Sequence, residues 1–240
     1  MPNFGLLYFT PASRMNSFFN RKIITTADGS SSIYLPDFDE HYHSVHGAVQ
    51  ESKHVFMKMG WEPLAEKQDA LSILEIGFGT GLNALLVLEA CLRSPGKKAF
   101  YHSLEAYPVS AEDAAQLNYT ETMQHEFLHL HKVKWNETAE IVPGFQLLKE
   151  EITLAKFQPE ENFFDLVFFD AFAPRVQPEL WTEEVFRKMH RALKAGGILV
   201  TYCSKGDVRR AMIAAGFSVE KLPGPPGKRE MLRAKKDPKI

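Results

Sequence analysis

The chain has 240 residues, 45% of them hydrophobic and 24% charged, which suits one α/β domain with a substantial core. Its formal net charge of −2 does not by itself predict a polyanion partner, and no apolar run approaches the ~20 residues that a membrane span requires. Two cysteines, Cys91 and Cys203, each in an apolar stretch, give neither a disulfide framework nor a zinc site; buried thiols in a reducing cytoplasm are the expectation. The charge is unevenly spread. Residues 187–240 hold 14 Lys and Arg against 4 Asp and Glu, whereas residues 1–186 hold 14 against 26. This asymmetry fits either a basic face that attracts phosphates or a solvated basic tail over 233–239.

Residues 1–20 read as a loose tail, and the apolar run 4–9 is too short for a signal-peptide core. Residues 23–26 and 32–35 flank Ala-Asp-Gly-Ser and predict a β-hairpin. A helical stretch with Val49, Val55, Phe56 and Met59 follows Gly47. Residues 1–60 therefore read as a small extension on a core spanning 61–240. In that core the patterning predicts strands at 71–76, 98–104, 145–149, 164–169 and 197–203, and helices at 82–92, 110–118, 181–193 and 206–215. Two last strands, 217–221 and 229–235, are joined by Leu-Pro-Gly-Pro-Pro-Gly, a hairpin loop. Strands alternating with helices predict a doubly wound, mostly parallel α/β sheet that ends in an antiparallel hairpin. The stretch 119–163 is the least patterned, and 145–152 fits strand or helix.

The first core strand runs to Glu75 and is followed by Gly77, Gly79 and Gly81, then by an apolar helix from Leu82. Glycines here permit a sharp turn and close approach of a ligand to the backbone, and the helix start beyond offers unpaired N–H groups. A dinucleotide fingerprint needs its third glycine at position 82, which is Leu. The spacing Glu-x-Gly-x-Gly-x-Gly instead resembles motif I of class I S-adenosylmethionine (SAM) methyltransferases. That resemblance implies that the glycines pack on the methionine and ribose portions of SAM and that Glu75 lies near its amino group. Glu105 ends the second strand, where an acid can accept from both ribose hydroxyls. Asp170 ends a strand apolar enough for the sheet centre, and a carboxylate there faces the reactive centre of the cofactor. The alternatives are an exposed Glu after a strand and an Asp that caps the next turn.

Longer pieces then occur in a fixed order: Asp170-Ala-Phe-Ala-Pro174, Pro178-Glu-Leu-Trp181, Gly196-Gly-Ile-Leu-Val-Thr-Tyr-Cys-Ser204, Val208-Arg-Arg210, Ala215-Gly-Phe217 and Gly227-Lys-Arg-Glu-Met231. Upstream stand Asp37-Phe-Asp39, Tyr42-His-Ser44 and Gln50-Glu-Ser52. Together, over about residues 23–235, they resemble the MnmD family, which is also found as the methyltransferase half of MnmC. The resemblance implies SAM-dependent methylation of the primary amine of 5-aminomethyl-2-thiouridine at the tRNA wobble position. It implies that Gly77, Gly79, Gly81, Glu75 and Glu105 hold SAM and that Asp170 meets the amine. It also implies that Glu51 contacts the cofactor or closes the site, and that the acidic position near adenine falls on Glu151. Substrate contacts fall on Phe172, Ser204, Arg209, Arg210, Lys228 and Arg229. Phe172 either stacks on the uracil or packs its loop, and Arg229 either meets phosphate or pairs with an acid. The partner is the anticodon stem-loop of tRNA, with no membrane or DNA expected. The sequence carries no FAD fingerprint, so the oxidase activity of MnmC is not expected.

Other readings carry the same pocket. One is a SAM-dependent small-amine methyltransferase or an aminopropyltransferase of the spermidine-synthase type, although that site would want several acids where the Asp170 loop has one. Another is a non-catalytic RNA-binding module with a SAM pocket, against which Glu75, Glu105 and Asp170 speak. His41, His43, His46 and His54 lack a compelling fourth ligand for a metal; closure of that segment over the cofactor is the expectation.

Overall fold

The computed structural model describes residues 20–238, so the tail expected over 1–20 lies almost wholly outside the described residues. The chain opens with a small antiparallel sheet of β1 (Lys22–Thr25), β2 (Ser31–Leu35) and β3 (Glu40–His41), in the order β1-β2-β3. Its hairpin turn is organised by Asp28, whose carboxylate accepts from Thr26 Oγ1 at 2.7 Å and from the Ser30 amide at 3.0 Å. The same carboxylate accepts from the Gln50 amide at 3.0 Å, tying the hairpin to α1 (Ala48–Ser52). A π-helical stretch, Lys53–Trp61, and α2 (Glu62–Ala65) continue that helix. Its apolar face carries Phe56, 1% exposed, onto the large sheet, with the ring 5.1 Å from that of Phe168.

The large sheet is built from β4 (Ala70–Ile76), β5 (Lys98–Glu105), β6 (Thr138–Val142), β7 (Phe145–Glu151), β8 (Phe164–Phe169), β9 (Leu193–Thr201), β10 (Ser218–Pro223) and β11 (Glu230–Lys235). The strand order is β10-β11-β9-β8-β4-β5-β7-β6. Strands β7, β5, β4, β8 and β9 run parallel, while β11 is antiparallel to β9, β10 to β11, and β6 to β7. All six residues of β8 are buried, as a strand covered on both faces requires. One face is covered by α3 (Leu82–Arg93) and by the helix that carries Phe56; the other by α6 (Glu183–Ala192) and α7 (Gly206–Ala214). Chain order reverses between β4 and β8, and α/β sheets bind ligands at the carboxyl edge of such a switch point. No helix among the described residues is long and apolar enough to cross a membrane.

Several boundaries differ from the sequence reading. The helix expected at 110–118 is the single turn α4 (Ala111–Ala114), capped by Ser110. The poorly patterned stretch holds α5 (Gln124–Lys132) and the edge strand β6, which pairs with β7 and has no buried residue. The helix expected from 181 begins at Glu183, after a 3-10 turn at Pro178–Trp181, with Thr182 accepting from the Val185 amide at 3.3 Å. Strand β9 starts at Leu193 rather than 197, because Gly196 and Gly197 continue the strand through an irregularity opposite Phe164 and Leu166.

Candidate active site at the switch point

The backbone after β4 binds three strand ends together. Gly77 donates to the Leu104 carbonyl at 2.9 Å, and Asp170 donates its amide to the Ile76 carbonyl at 3.1 Å. Gly77 has φ 94°, and a Cβ there would lie 2.9 Å from the Asp170 carbonyl oxygen, so only glycine allows β4 and β8 to end this close. Gly79 donates to Glu105 Oε2 at 2.9 Å, and the Tyr107 amide donates to Glu105 Oε1 at 2.9 Å. Gly81 is the N-cap of α3 in the left-handed conformation, φ 75°. The tips of β4, β5, β7 and β8 thus place Glu75, Glu105, Glu151 and Asp170 on one edge. Glu105 and Glu151 are in-register neighbours, with Glu151 exposed.

Beneath this edge runs a polar network. Glu75 is fully buried and accepts from Ser103 Oγ at 2.6 Å and from Asn83 Nδ2 at 3.1 Å. The same Asn83 nitrogen donates to Asp170 Oδ2 at 2.9 Å, so its two hydrogens serve one carboxyl each. Burial, with the Asp170 charge adding to it, raises the Glu75 carboxyl to about 8; the Ser103 and Asn83 bonds offset only part of that. Asp170 is raised to about 7, first by burial and then by the Glu51 charge, against the Asn83 bond and the Lys228 charge. A carboxylate that titrates near neutrality at a sheet edge suits proton transfer.

The loop after Asp170 is held at three points. Ala171 accepts from Tyr202 Oη at 2.9 Å, Phe172 accepts from Trp181 Nε1 at 2.9 Å, and the Phe172 amide donates to Gln177 Oε1 at 3.2 Å. The half-buried Phe172 ring meets Tyr42 edge-on at 5.1 Å, and Tyr42 also lies over Gly79. His43 bridges Ser32 Oγ at 3.3 Å and Thr80 Oγ1 at 3.4 Å; burial holds its ring at about 4, hence neutral. The small sheet and the segment after it therefore brace the glycine loop from above. From behind, His131 donates to the Thr80 carbonyl at 3.0 Å, and the buried Lys149 donates to the His131 carbonyl at 2.9 Å.

The remaining sequence candidates fall into two groups. Glu51 is buried, accepts from the Ser44 amide at 2.8 Å, and pairs with Lys228 at 2.5 Å. Lys228 is turned inward, its ammonium 4.0 Å from the centre of the Tyr202 ring. Arg229, its neighbour, is exposed, as is Arg210. Arg209 is half-buried with Nε lacking a partner among the described residues, and the half-buried Ser204 follows the end of β9. Lys228 and Arg229 lie at the carboxyl edge of β9, because β11 starts where β9 ends, whereas Arg209 and Arg210 sit within α7 and Glu51 in α1. Asn83, Ser103, Tyr42 and Tyr202 belong to the site without having been singled out. The signal for Asn83 is a lone amide within Leu82-Asn83-Ala-Leu-Leu-Val.

The residues fit a cofactor that is both cationic and a nucleoside. Asn83 Oδ1 is buried with no hydrogen-bond partner among the described residues, beside a carboxyl raised to about 8 that a neighbouring cation would ionise at neutral pH. Glu105, a carboxylate at the end of β5 already accepting from the Gly79 and Tyr107 amides, keeps lone pairs that suit a diol such as that of a ribose. S-adenosylmethionine has an ammonium, a sulfonium and a ribose in that order.

The comparisons agree. The bifunctional protein MnmC of tRNA 5-methylaminomethyl-2-thiouridine biosynthesis from Cupriavidus metallidurans is 33% identical over 228 residues, covering 88% of this chain and 33% of that protein. The chain thus spans about a third of the length of the curated relatives it matches. The crystal structure of MnmC2 from Aquifex aeolicus aligns with a TM-score of 0.78 at 28% identity, over 92% of this chain and 72% of that one. Spermidine synthase from Thermotoga maritima aligns over 92% of this chain and 74% of its own at a TM-score of 0.52 and 15% identity, which shows shared fold alone. A family model described as S-adenosyl-L-methionine-dependent methyltransferase matches residues 102–237, and with the glycine loop and acid-tipped strands in place the chain belongs to that family.

Proposed function

We propose that this protein methylates the primary amine of 5-aminomethyl-(2-thio)uridine at the wobble position of tRNA, giving the methylaminomethyl nucleoside. The observation that carries this reading is the carboxylate of Asp170, set beside the glycine loop, joined through Asn83 to Glu75 and walled by Phe172, Tyr42 and Tyr202. The names of the MnmC relatives supply the substrate class.

Bound SAM supplies a methyl carbon activated by its sulfonium. Displacement at that carbon is in-line, so the protein contributes mainly position. Asp170 accepts one N–H of the substrate amine, aims the lone pair, and stabilises the positive charge that grows on nitrogen. With a carboxyl at about 7, Asp170 also takes the proton that the methylated amine releases. Phe172 and Tyr42 offer ring faces and edges to an unstacked base. Arg210 and Arg229, both exposed, make the phosphate contacts in this reading. Within the extension expected over 1–60, residues 20–60 close the pocket of the catalytic unit, 61–240, and the enzyme works in the cytoplasm.

The test is incubation of the protein with SAM and tRNA that lacks the final methyl. Nucleoside mass spectrometry should show a gain of one methyl on the wobble uridine. Asp170→Ala should keep SAM affinity and lose turnover by about a hundredfold or more. Equal loss of binding and turnover contradicts the role given to Asp170. The shared fold with spermidine synthase keeps a small-amine reading in view; methylation of free amines with none on tRNA would support it.

A further inference from the structure

Glu51 and the face of Tyr202 together form a receptor for an alkylammonium: a buried carboxylate beside an aromatic face. In this chain that receptor is filled from within. Lys228 places its ammonium 2.5 Å from Glu51 Oε1 and 4.0 Å from the Tyr202 ring centre. The turn that delivers it is clamped. Lys228 donates its amide to the Pro225 carbonyl at 2.9 Å, and His54 donates to the Pro223 carbonyl at 2.8 Å. Gly227, at φ 81°, lies so close to the His46 ring that a Cβ would overlap it.

The charges around this point can be counted. Among the described residues, the titratable groups seen to act on or touch Lys228 are Glu51 from α1, His43 from the segment after β3, Asp170 from the tip of β8, and Tyr202 and Cys203 from beyond β9; Glu40, which also acts on Tyr202, is paired with Arg175 at 3.1 Å. His43 is neutral, and burial pushes the Tyr202 hydroxyl and the Cys203 thiol upward, so they are neutral too. Glu75, below the edge, is held by Ser103 and Asn83. Lys228 and Glu51 cancel. Among the described residues no cation lies within ion-pair distance of Asp170.

We propose that Lys228 is an internal counter-ion that neutralises Glu51, so that the pocket presents one carboxylate, Asp170, to the substrate amine and receives that amine as the neutral nucleophile. This rests on the proposed amine methylation and names Lys228 as a positioning residue for it. The reason lies in the chemistry of the step. An ammonium has no lone pair to attack with, yet two carboxylates beside an amine would hold it as ammonium. An opposite charge within ~4–6 Å raises an amine by about 1–3 pKa units, each unit being a tenfold loss of the reactive form.

The experiment measures single-turnover methylation of precursor tRNA by the SAM-loaded protein across pH. Lys228→Ala should move the alkaline rise in rate upward by about one unit or more, with at least about a tenfold loss near neutrality and recovery at higher pH. Lys228→Arg should restore the wild-type profile. So should the double variant Glu51→Gln/Lys228→Ala, which lacks both charges and again shows the amine one carboxylate. Tetramethylammonium, a permanent cation, should inhibit Lys228→Ala and spare both the wild type and the double variant. A Lys228→Ala profile lowered by the same factor at every pH, or a double variant no better than the single, overturns the proposal while leaving the methylation reading intact. A wild type that never methylates the tRNA amine overturns both.

Discussion

Glu75→Gln isolates the cost of ionising a carboxyl beneath the glycine loop. In the folded chain this group lies at about 8, against an ordinary 4.5. A raised carboxyl adds its full stability below 4.5 and loses it as pH climbs through about 8. Between about pH 5.5 and about pH 8.5 the loss comes to about 3 kcal/mol for this one group. The amide of the variant does not titrate. Over the same window the variant should lose about 3 kcal/mol less stability than the wild type. The new side chain keeps an oxygen for Ser103 but turns an amide nitrogen toward Asn83, an offset of about 1 kcal/mol that is the same at every pH. Urea unfolding of both proteins at several pH values, extrapolated linearly, measures the difference. Parallel stability curves would mean that Glu75 is already ionised in the folded protein, and the account of the buried network would fail.

SAM binding near neutral pH should release close to one proton, because a cation beside Glu75 ionises it; calorimetry in buffers of different ionisation enthalpy should show this for wild type and not for Glu75→Gln. Gly77→Ala, whose new Cβ would meet the Asp170 carbonyl at 2.9 Å, should separate β4 from β8 and abolish SAM binding by calorimetry, and wild-type affinity would contradict that geometry. Phe56→Ala removes a ring packed on Phe168 and should cost about 3–5 kcal/mol in chemical unfolding.

The acids at strand tips could be read from the sequence because each closes a short predicted strand, and the parallel sheet then brings such tips to one edge. Glu75, Glu105 and Asp170 were accessible in this way, as was the glycine loop between them. Strand β6 was not, since an edge strand without a buried residue lacks the apolar run that marks β8. Helix α5 begins without a side-chain cap, which removes the usual start signal. The start of β9 was obscured by Gly196 and Gly197, a pair that reads as a loop in one dimension. The inward turn of Lys228 was invisible for a different reason. Its partner Glu51 is 177 positions away, and adjacent basic residues look alike until the fold sends Lys228 in and leaves Arg229 out.

Asn83 has two amide hydrogens and spends one on Glu75 and one on Asp170. A single planar group therefore acts as a ruler between Glu75 and Asp170. Neither carboxyl can swing away without stranding a hydrogen in a dry interior. In the displacement proposed above, where a few tenths of an ångström separate a collinear attack from a miss, that rigidity would keep the two acids at one fixed spacing.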